Sequence, residues 1–321
     1  MKLLVVLLIL ISGAAVLFLF EDDIPKDVID AEYSNHSSQF ITLENQSTIH
    51  FRDEGNRSGE PVVLIHGFGA SLHTWTPWVK LLGDEFRIVT LDLPAFGLTG
   101  AIPGNDYTTS GYIDTVNMLV DHLGLSSFTL VGNSMGGYVS WQYALKHPGR
   151  VRALILIGSS GPGDWQKVTD EDTRPLIFTL LTKPWFQFIG GKLDPWYLIS
   201  PAVKSAYNHS PAADQELILR YYQLSLREGT REAIIHRSVQ IGQATEPTVN
   251  LSSLTLPVLV MWGREDALID VETALRFDKV LPNSSVIIYD DVGHIPMEEI
   301  PERSAADVRE FMLSLNTQAI K

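Results

Sequence analysis

The stretch Phe128-Thr129-Leu130-Val131-Gly132-Asn133-Ser134-Met135-Gly136-Gly137, continued by an amphipathic segment over residues 138–146, decides the fold. An apolar, β-branched run enters a Gly-x-Ser-x-Gly turn and leaves it with helical periodicity. A serine held at so tight a strand-to-helix turn needs neighbours without a Cβ on both sides, because the two backbone segments otherwise collide. Ser134 then projects into open space. The N–H of Met135 lies beside it at a helix amino end, where negative charge is stabilised.

The same pattern extends in both directions. Apolar runs over residues 62–65, 87–91, 154–157, 258–261 and 286–289 are continuous rather than alternating, as in parallel strands buried on both faces. Helical stretches over 75–82, 113–123, 272–280 and 305–315 separate them, so the fold class is α/β, with a mostly parallel, doubly wound sheet. A short hairpin over 41–43 and 49–52 precedes the alternation. From 161 to 251 the alternation lapses. Seven prolines (Pro162, Pro175, Pro184, Pro195, Pro201, Pro211 and Pro247) punctuate short helix-like pieces there, which reads as a helical cap inserted into a core of residues 40–160 and 252–321.

A serine hydroxyl is a weak nucleophile near neutral pH, so Ser134 requires a base and a group that orients the base. His294 follows the last strand run, and Asp266 follows the run that ends at Trp262. Glu265, Asp270, Asp290 and Asp291 compete with Asp266 as the acid. Ligands of open α/β sheets bind outside the carboxyl ends of the strands, which favours Asp266, whereas Asp270 is placed to cap the next helix. The turn His66-Gly67-Phe68-Gly69 leaves another strand and could aim the N–H of Phe68, together with that of Met135, at a developing oxyanion.

These residues together resemble the α/β-hydrolase superfamily over about residues 40–315, within it the lipase, esterase and carbon–carbon bond hydrolase group, through HGFGAS, DLPAFGLTG, GNSMGG, GREDAL and VGHIPMEEIP. The resemblance implies Ser134 as nucleophile, His294 as base, Asp266 as its partner, Phe68 and Met135 as oxyanion donors, and a helical cap. It implies cleavage of carboxylic esters through an acyl-enzyme. Hydrolysis of ring-fission vinylogous diketones is the alternative, although the Gly-rich, proline-containing stretch usual in those enzymes is replaced by Phe68-Gly69-Ala70-Ser71. A non-catalytic, membrane-tethered binding protein on the same fold is a third reading. Ala95 stands where relatives often carry glycine.

Substrate contacts are expected from the cap aromatics Trp185, Phe186, Phe188 and Trp196, with Tyr197 beside them. No metal or organic cofactor is expected, since the nine histidines form no H-E-x-x-H pair and no G-x-G-x-x-G follows a strand. With 24 basic against 38 acidic residues the net charge is −14, which disfavours nucleic acid as a partner. Absence of cysteine excludes disulfides and thiolate chemistry.

Residues 3–20 carry no charge, and as a helix they would span roughly 27 Å, enough for a bilayer core. Residues 1–23 are therefore expected to form a membrane helix, with a cleaved signal peptide and a buried soluble helix as competitors. Lys2 before the run places the amino end in the cytoplasm and the folded part on the non-cytoplasmic side. Residues 24–39 read as an irregular linker. Six asparagines begin N-x-S/T triplets, which chance and surface Ser/Thr chemistry account for ahead of glycosylation.

Overall fold

In a computed structural model, which describes residues 19–165, 175–243 and 249–318, eight strands form one sheet in the order β1-β2-β4-β3-β5-β6-β7-β8. They are β1 (Ser38–Thr42), β2 (Thr48–Gly55), β3 (Pro61–Ile65), β4 (Arg87–Leu91), β5 (Phe128–Asn133), β6 (Val151–Ile157), β7 (Val258–Gly263) and β8 (Ser284–Tyr289). β2 pairs antiparallel with β1 and β4, and the other neighbours are parallel. The continuous apolar runs of the central strands are explained by burial on both faces, whereas the run over 286–289 forms the edge strand β8 and is only partly buried. Val63, Ile65, Leu154, Leu156, Val258 and Val260 pack into one core, and the alternate positions Val62, Leu64, Ile155, Ile157, Leu259 and Met261 pack into the other.

Along the chain the helices are α1 (Lys26–Tyr33), α2 (Thr76–Leu82), α3 (Thr109–His122) and α4 (Met135–Lys146), then α5 (Leu176–Leu180), α6 (Pro184–Ile189), α7 (Trp196–Ala206), α8 (Gln215–Leu226) and α9 (Thr230–Gln243). After β7 come α10 (Glu272–Val280), α11 (Pro296–Glu299) and α12 (Pro301–Gln318). Between β6 and β7 the described residues add no strand to the sheet but form short helices and turns, and these roof the carboxyl ends of the central strands. α3 begins four residues before its apolar periodicity does, because the side chain of Thr108 caps it by accepting from the N–H of Gly111.

The lead-in differs from the expected spacer. Residues 26–33 form α1, whose Ile29 is buried, and its Asp30 makes a bidentate pair with Arg227 of the cap. An eight-residue helix with one buried apolar position carries no readable stripe, so only its tertiary contacts reveal it. The expected membrane helix over 1–23 lies outside the described residues except at 19–23, which are not helical: Phe20 bridges Leu193, the carbonyl of Leu19 accepts from the N–H of Asp194 at 2.8 Å, and Arg231 holds Glu21 and Asp23, so these residues are docked on the cap instead. Among the described residues no helix is long and apolar enough to cross a membrane.

Four of the N-x-S/T asparagines have a local structural use. The Oδ1 atoms of Asn35, Asn45, Asn56 and Asn250 each accept the backbone N–H of the serine two residues on, closing a turn.

Behind the cleft, Asp92 organises the loops after β3 and β4. Fully buried, it accepts from the Nδ1–H of His50 at 2.7 Å and from the N–H groups of Leu72 and Leu98 at 2.7 and 2.8 Å. Burial by itself would raise its pKa, but the hydrogen bond and charge of His50, with His66 and His73 beyond, hold the carboxyl well below the ordinary range. Gly97, at φ 52°, leaves room for it, since a Cβ there would lie 2.1 Å from the Asp92 carboxyl carbon. Because the folded-state pKa is depressed, this contribution is complete above the unfolded pKa and is lost as pH falls towards the folded one. Asp92→Asn is expected to cost about 3 kcal/mol at neutral pH. Thermal unfolding followed across the acid range should show a shallower decline of Tm in the variant, and an unchanged neutral Tm would refute the assignment.

Candidate active site

Ser134 sits at φ 56°, ψ −118°, a backbone conformation that L-residues rarely adopt, between β5 and α4. The strain is held by close backbone packing. A Cβ on Gly132 would lie 2.2 Å from the carbonyl oxygen of Gly136, and one on Gly136 would lie 2.2 Å from that of Ile65. The N–H of Ser134 donates to Ile157 at 2.9 Å, and its carbonyl accepts from Tyr138 and Ser160.

His294, in the loop after β8, is buried and lines the same cleft as Ser134. Its Nδ1 bonds Asp266 Oδ2 at 2.6 Å, while its Nε2 is buried with no hydrogen-bond partner among the described residues. The carboxylate of Asp266 is fully enclosed, and its Oδ1 accepts from the N–H groups of Leu268 and Ile269 at 2.8 and 2.9 Å. With Nδ1 donating to a carboxylate, Nε2 is the basic nitrogen. It makes no hydrogen bond to Ser134 here, a contact that commonly tightens only around substrate.

The competing acids have other partners or positions. Asp270 accepts from the N–H of Glu272 at the start of α10, and Asp290 pairs with exposed Arg264. Glu265 and Asp291 are exposed.

The two expected oxyanion donors flank Ser134. Met135 opens α4 directly after it, and a Cβ on Gly67 would lie 3.1 Å from Ser134 Cβ, so the Phe68 turn approaches the serine from β3. Among the described residues neither N–H is given to an acceptor. That turn is braced from below by His66, whose Nδ1 donates to the Gly67 carbonyl at 2.7 Å while its Nε2 accepts the N–H of Leu93 at 3.0 Å. Burial pushes the His66 pKa down, which suits the neutral ring that this pairing needs. The Phe68 ring is wedged between Phe96 and Phe178, each at 5.4 Å, with the Arg237 guanidinium 5.1 Å from its centre.

Three further residues hold the site together. Asn133 donates through Nδ2 to the carbonyls of Ile157 and His294, both at 3.1 Å, tying the serine turn to the histidine loop. Glu299 grips that loop from the other side. Its carboxylate accepts the N–H of Gly293 at 2.9 Å and that of Ile295 at 3.0 Å, the two neighbours of His294. Burial raises its pKa, against the pull of those two N–H groups. Gly158, at φ 50°, lies under the pair: a Cβ there would sit 2.9 Å from His294 Nδ1 and 3.2 Å from Asp266 Oδ2.

The lining of the cleft is mainly apolar. Of the cap aromatics expected to contact substrate, Phe186 lines it. Trp185 and Phe188 are exposed on the outer side of the cap, and Trp196 packs edge-on against Tyr222 at 5.2 Å. Positions 185 and 188 share a helix face that Phe186 does not, so only one can point inward. Arg231 reaches the lining, but its charge is committed: it pairs with Asp23 at 2.6 Å and donates to the carbonyls of Glu21 and Leu193.

A family model described as alpha/beta hydrolase fold matches residues 60–301. The chain is similar to Lipase 1 of Psychrobacter immobilis, with 28% identity over 87% of this chain and 84% of that one. It is also similar to the 2-hydroxy-6-oxo-2,4-heptadienoate hydrolase of Pseudomonas putida, with 27% identity over 74% of this chain and 83% of that one. Among solved structures, a thermophilic esterase from Thermogutta terrifontis superimposes with a TM-score of 0.70 and 27% identity, over 87% of this chain and 98% of that one.

Glu299→Gln leaves one acceptor where two N–H groups converge, so it is expected to lower stability by about 1–3 kcal/mol and reduce kcat more than it changes KM. Gly158→Ala combines an unfavourable φ, worth roughly 1–2 kcal/mol, with displacement of the His294–Asp266 pair. Denaturant titration and steady-state kinetics on both variants check this, and wild-type kcat in both would contradict the roles assigned.

Proposed function

The chain belongs to the alpha/beta hydrolase fold family, and from that membership we propose that it is a serine hydrolase that cleaves hydrophobic carboxylic esters through an acyl-enzyme. His294 Nε2 takes the Ser134 proton as Oγ attacks the ester carbonyl, and the oxyanion is received by the N–H groups of Phe68 and Met135. The proton then passes from His294 to the departing alcohol. Water, deprotonated by the same nitrogen, releases the acid and restores the serine. Asp266 fixes the ring tautomer and stabilises the imidazolium.

The observation that carries this reading is the histidine's asymmetry. One ring nitrogen is tied to an enclosed carboxylate, and the other is buried without a partner on the wall that Ser134 shares. The preference for neutral, hydrophobic esters is supported by the apolar lining and by the neutralisation of Arg231. A ring-fission product is anionic and calls for an available cation. Similarity to a ring-fission hydrolase nonetheless favours carbon–carbon bond hydrolysis by the same residues as the second reading.

The uncharged run ahead of Leu19 is proposed to anchor the chain in a membrane, with the folded part on the non-cytoplasmic side. The uncharged run and the placement of Lys2 support that orientation.

Turnover of p-nitrophenyl esters of graded chain length, set beside a ring-fission dienoate, separates the two chemistries. We expect higher kcat/KM on medium or long acyl chains than on the dienoate, and a loss of at least about 10⁴-fold in Ser134→Ala. Preference for the dienoate would replace the ester reading with the second one.

A further inference from the structure

The helices that roof the cleft are apolar on both sides. In α5, Phe178 lines the cleft while Leu176 is 60% exposed; in α6, Phe186 faces inward while Trp185 and Phe188 are 55% and 88% exposed; at the start of α7, Leu198 faces inward while Tyr197 is 73% exposed. A helix that is apolar all round is ordinarily covered all round, and a contiguous exposed patch of this kind marks a contact surface.

Two observations indicate what covers it. First, the chain that leads out of the fold towards the uncharged run emerges at this patch. Phe20 bridges Leu193, the N–H of Glu21 donates to the Lys192 carbonyl at 3.1 Å, and Arg231 clamps both Glu21 and Asp23 onto the cap. Leu19 and Phe20 are themselves about half exposed there, and the sequence before them is uncharged back to Leu3. The described chain therefore ends, on its amino side, at this face. Second, the exposed side chains include Trp and Tyr, the types that settle at the membrane–water boundary.

We propose that the outer face of the cap around Trp185, Phe188 and Tyr197 rests on a phospholipid bilayer, so that the roof of the cleft lies at the lipid surface. The cleft wall and the lipid contact are then opposite sides of the same short helices. A hydrophobic ester leaving the bilayer meets the roof before it meets bulk water. The inference rests on the membrane-anchor reading of the uncharged run ahead of Leu19 and is independent of the ester chemistry.

The absence of cysteine makes the test clean. The full chain is prepared as Phe188→Cys, Tyr197→Cys and, at the opposite, amino edge of the sheet, Ser127→Cys. Each is labelled with an environment-sensitive fluorophore and reconstituted in phosphatidylcholine vesicles. Nitroxide-bearing lipid should quench the labels at 188 and 197 several-fold more than the label at 127. Co-sedimentation with vesicles without quenching at 188 and 197 would overturn the proposal while leaving the anchor standing. Protection of those labels from aqueous iodide as well as from lipid would overturn it in favour of a second copy of the chain, or of its own first 18 residues, as the cover. Failure to associate with vesicles at all would remove both anchor and roof contact. Hydrolysis of a soluble ester by the same preparations reports separately on the catalytic reading.

Discussion

The constraint on which the site depends is the contact between the ends of β3 and β5 and the first turn of α4, where main-chain atoms approach closely enough to exclude any side chain. Gly132 and Gly136 supply that clearance, and between them Ser134 is forced to φ 56°. The conformation is unfavourable for an L-residue, by about 1–2 kcal/mol, and persists because parallel strands on both sides fix the backbone that enters and leaves it. Its result is geometric: the side chain stands clear of the sheet, with a helix amino end beside it and the Phe68 turn packed against it.

From that fixed point the remaining groups are positioned by hydrogen bonds that cross between loops. Asn133 holds the carbonyl of His294, Glu299 holds the amides on either side of it, and Asp266 holds its ring. The cap is part of the same assembly. The N–H of His294 donates to the Ala206 carbonyl at 2.7 Å, so the last turn of α7 supports the histidine loop. One residue on, Tyr207 donates to Glu298 Oε2 at 2.5 Å, an acceptor it shares with Thr74, while Arg220 of α8 binds the other oxygen. Burial, followed by the nearby Glu298 charge, raises the Tyr207 pKa well above its ordinary value and keeps its hydroxyl a donor. Displacement of the roof would therefore strain the loop that carries the base.

The sheet was legible in the sequence because each central strand is buried on both faces and shows an unbroken apolar run. The cluster of Ser134, Asp266 and His294 was legible because each follows such a run, so that strand exits gathered residues far apart in the chain. Asn133, Gly158 and Glu299 were not legible. Their partners are main-chain groups or side chains of other loops, and no spacing pattern announces them. The facing of the cap aromatics was hidden for a related reason: α5 and α6 are so short that an inward and an outward apolar position look alike in sequence. The docked helix over 26–33 was missed because its ion pair with Arg227 lies 197 residues away.

The central claim is that Ser134 is made nucleophilic by a histidine whose free nitrogen faces it. The most direct measurement is intact-mass and peptide-mapping analysis after exposure to a fluorophosphonate. The account expects one adduct per chain, located on Ser134 and absent from His294→Ala. An unmodified chain, or an adduct on another serine, would contradict it.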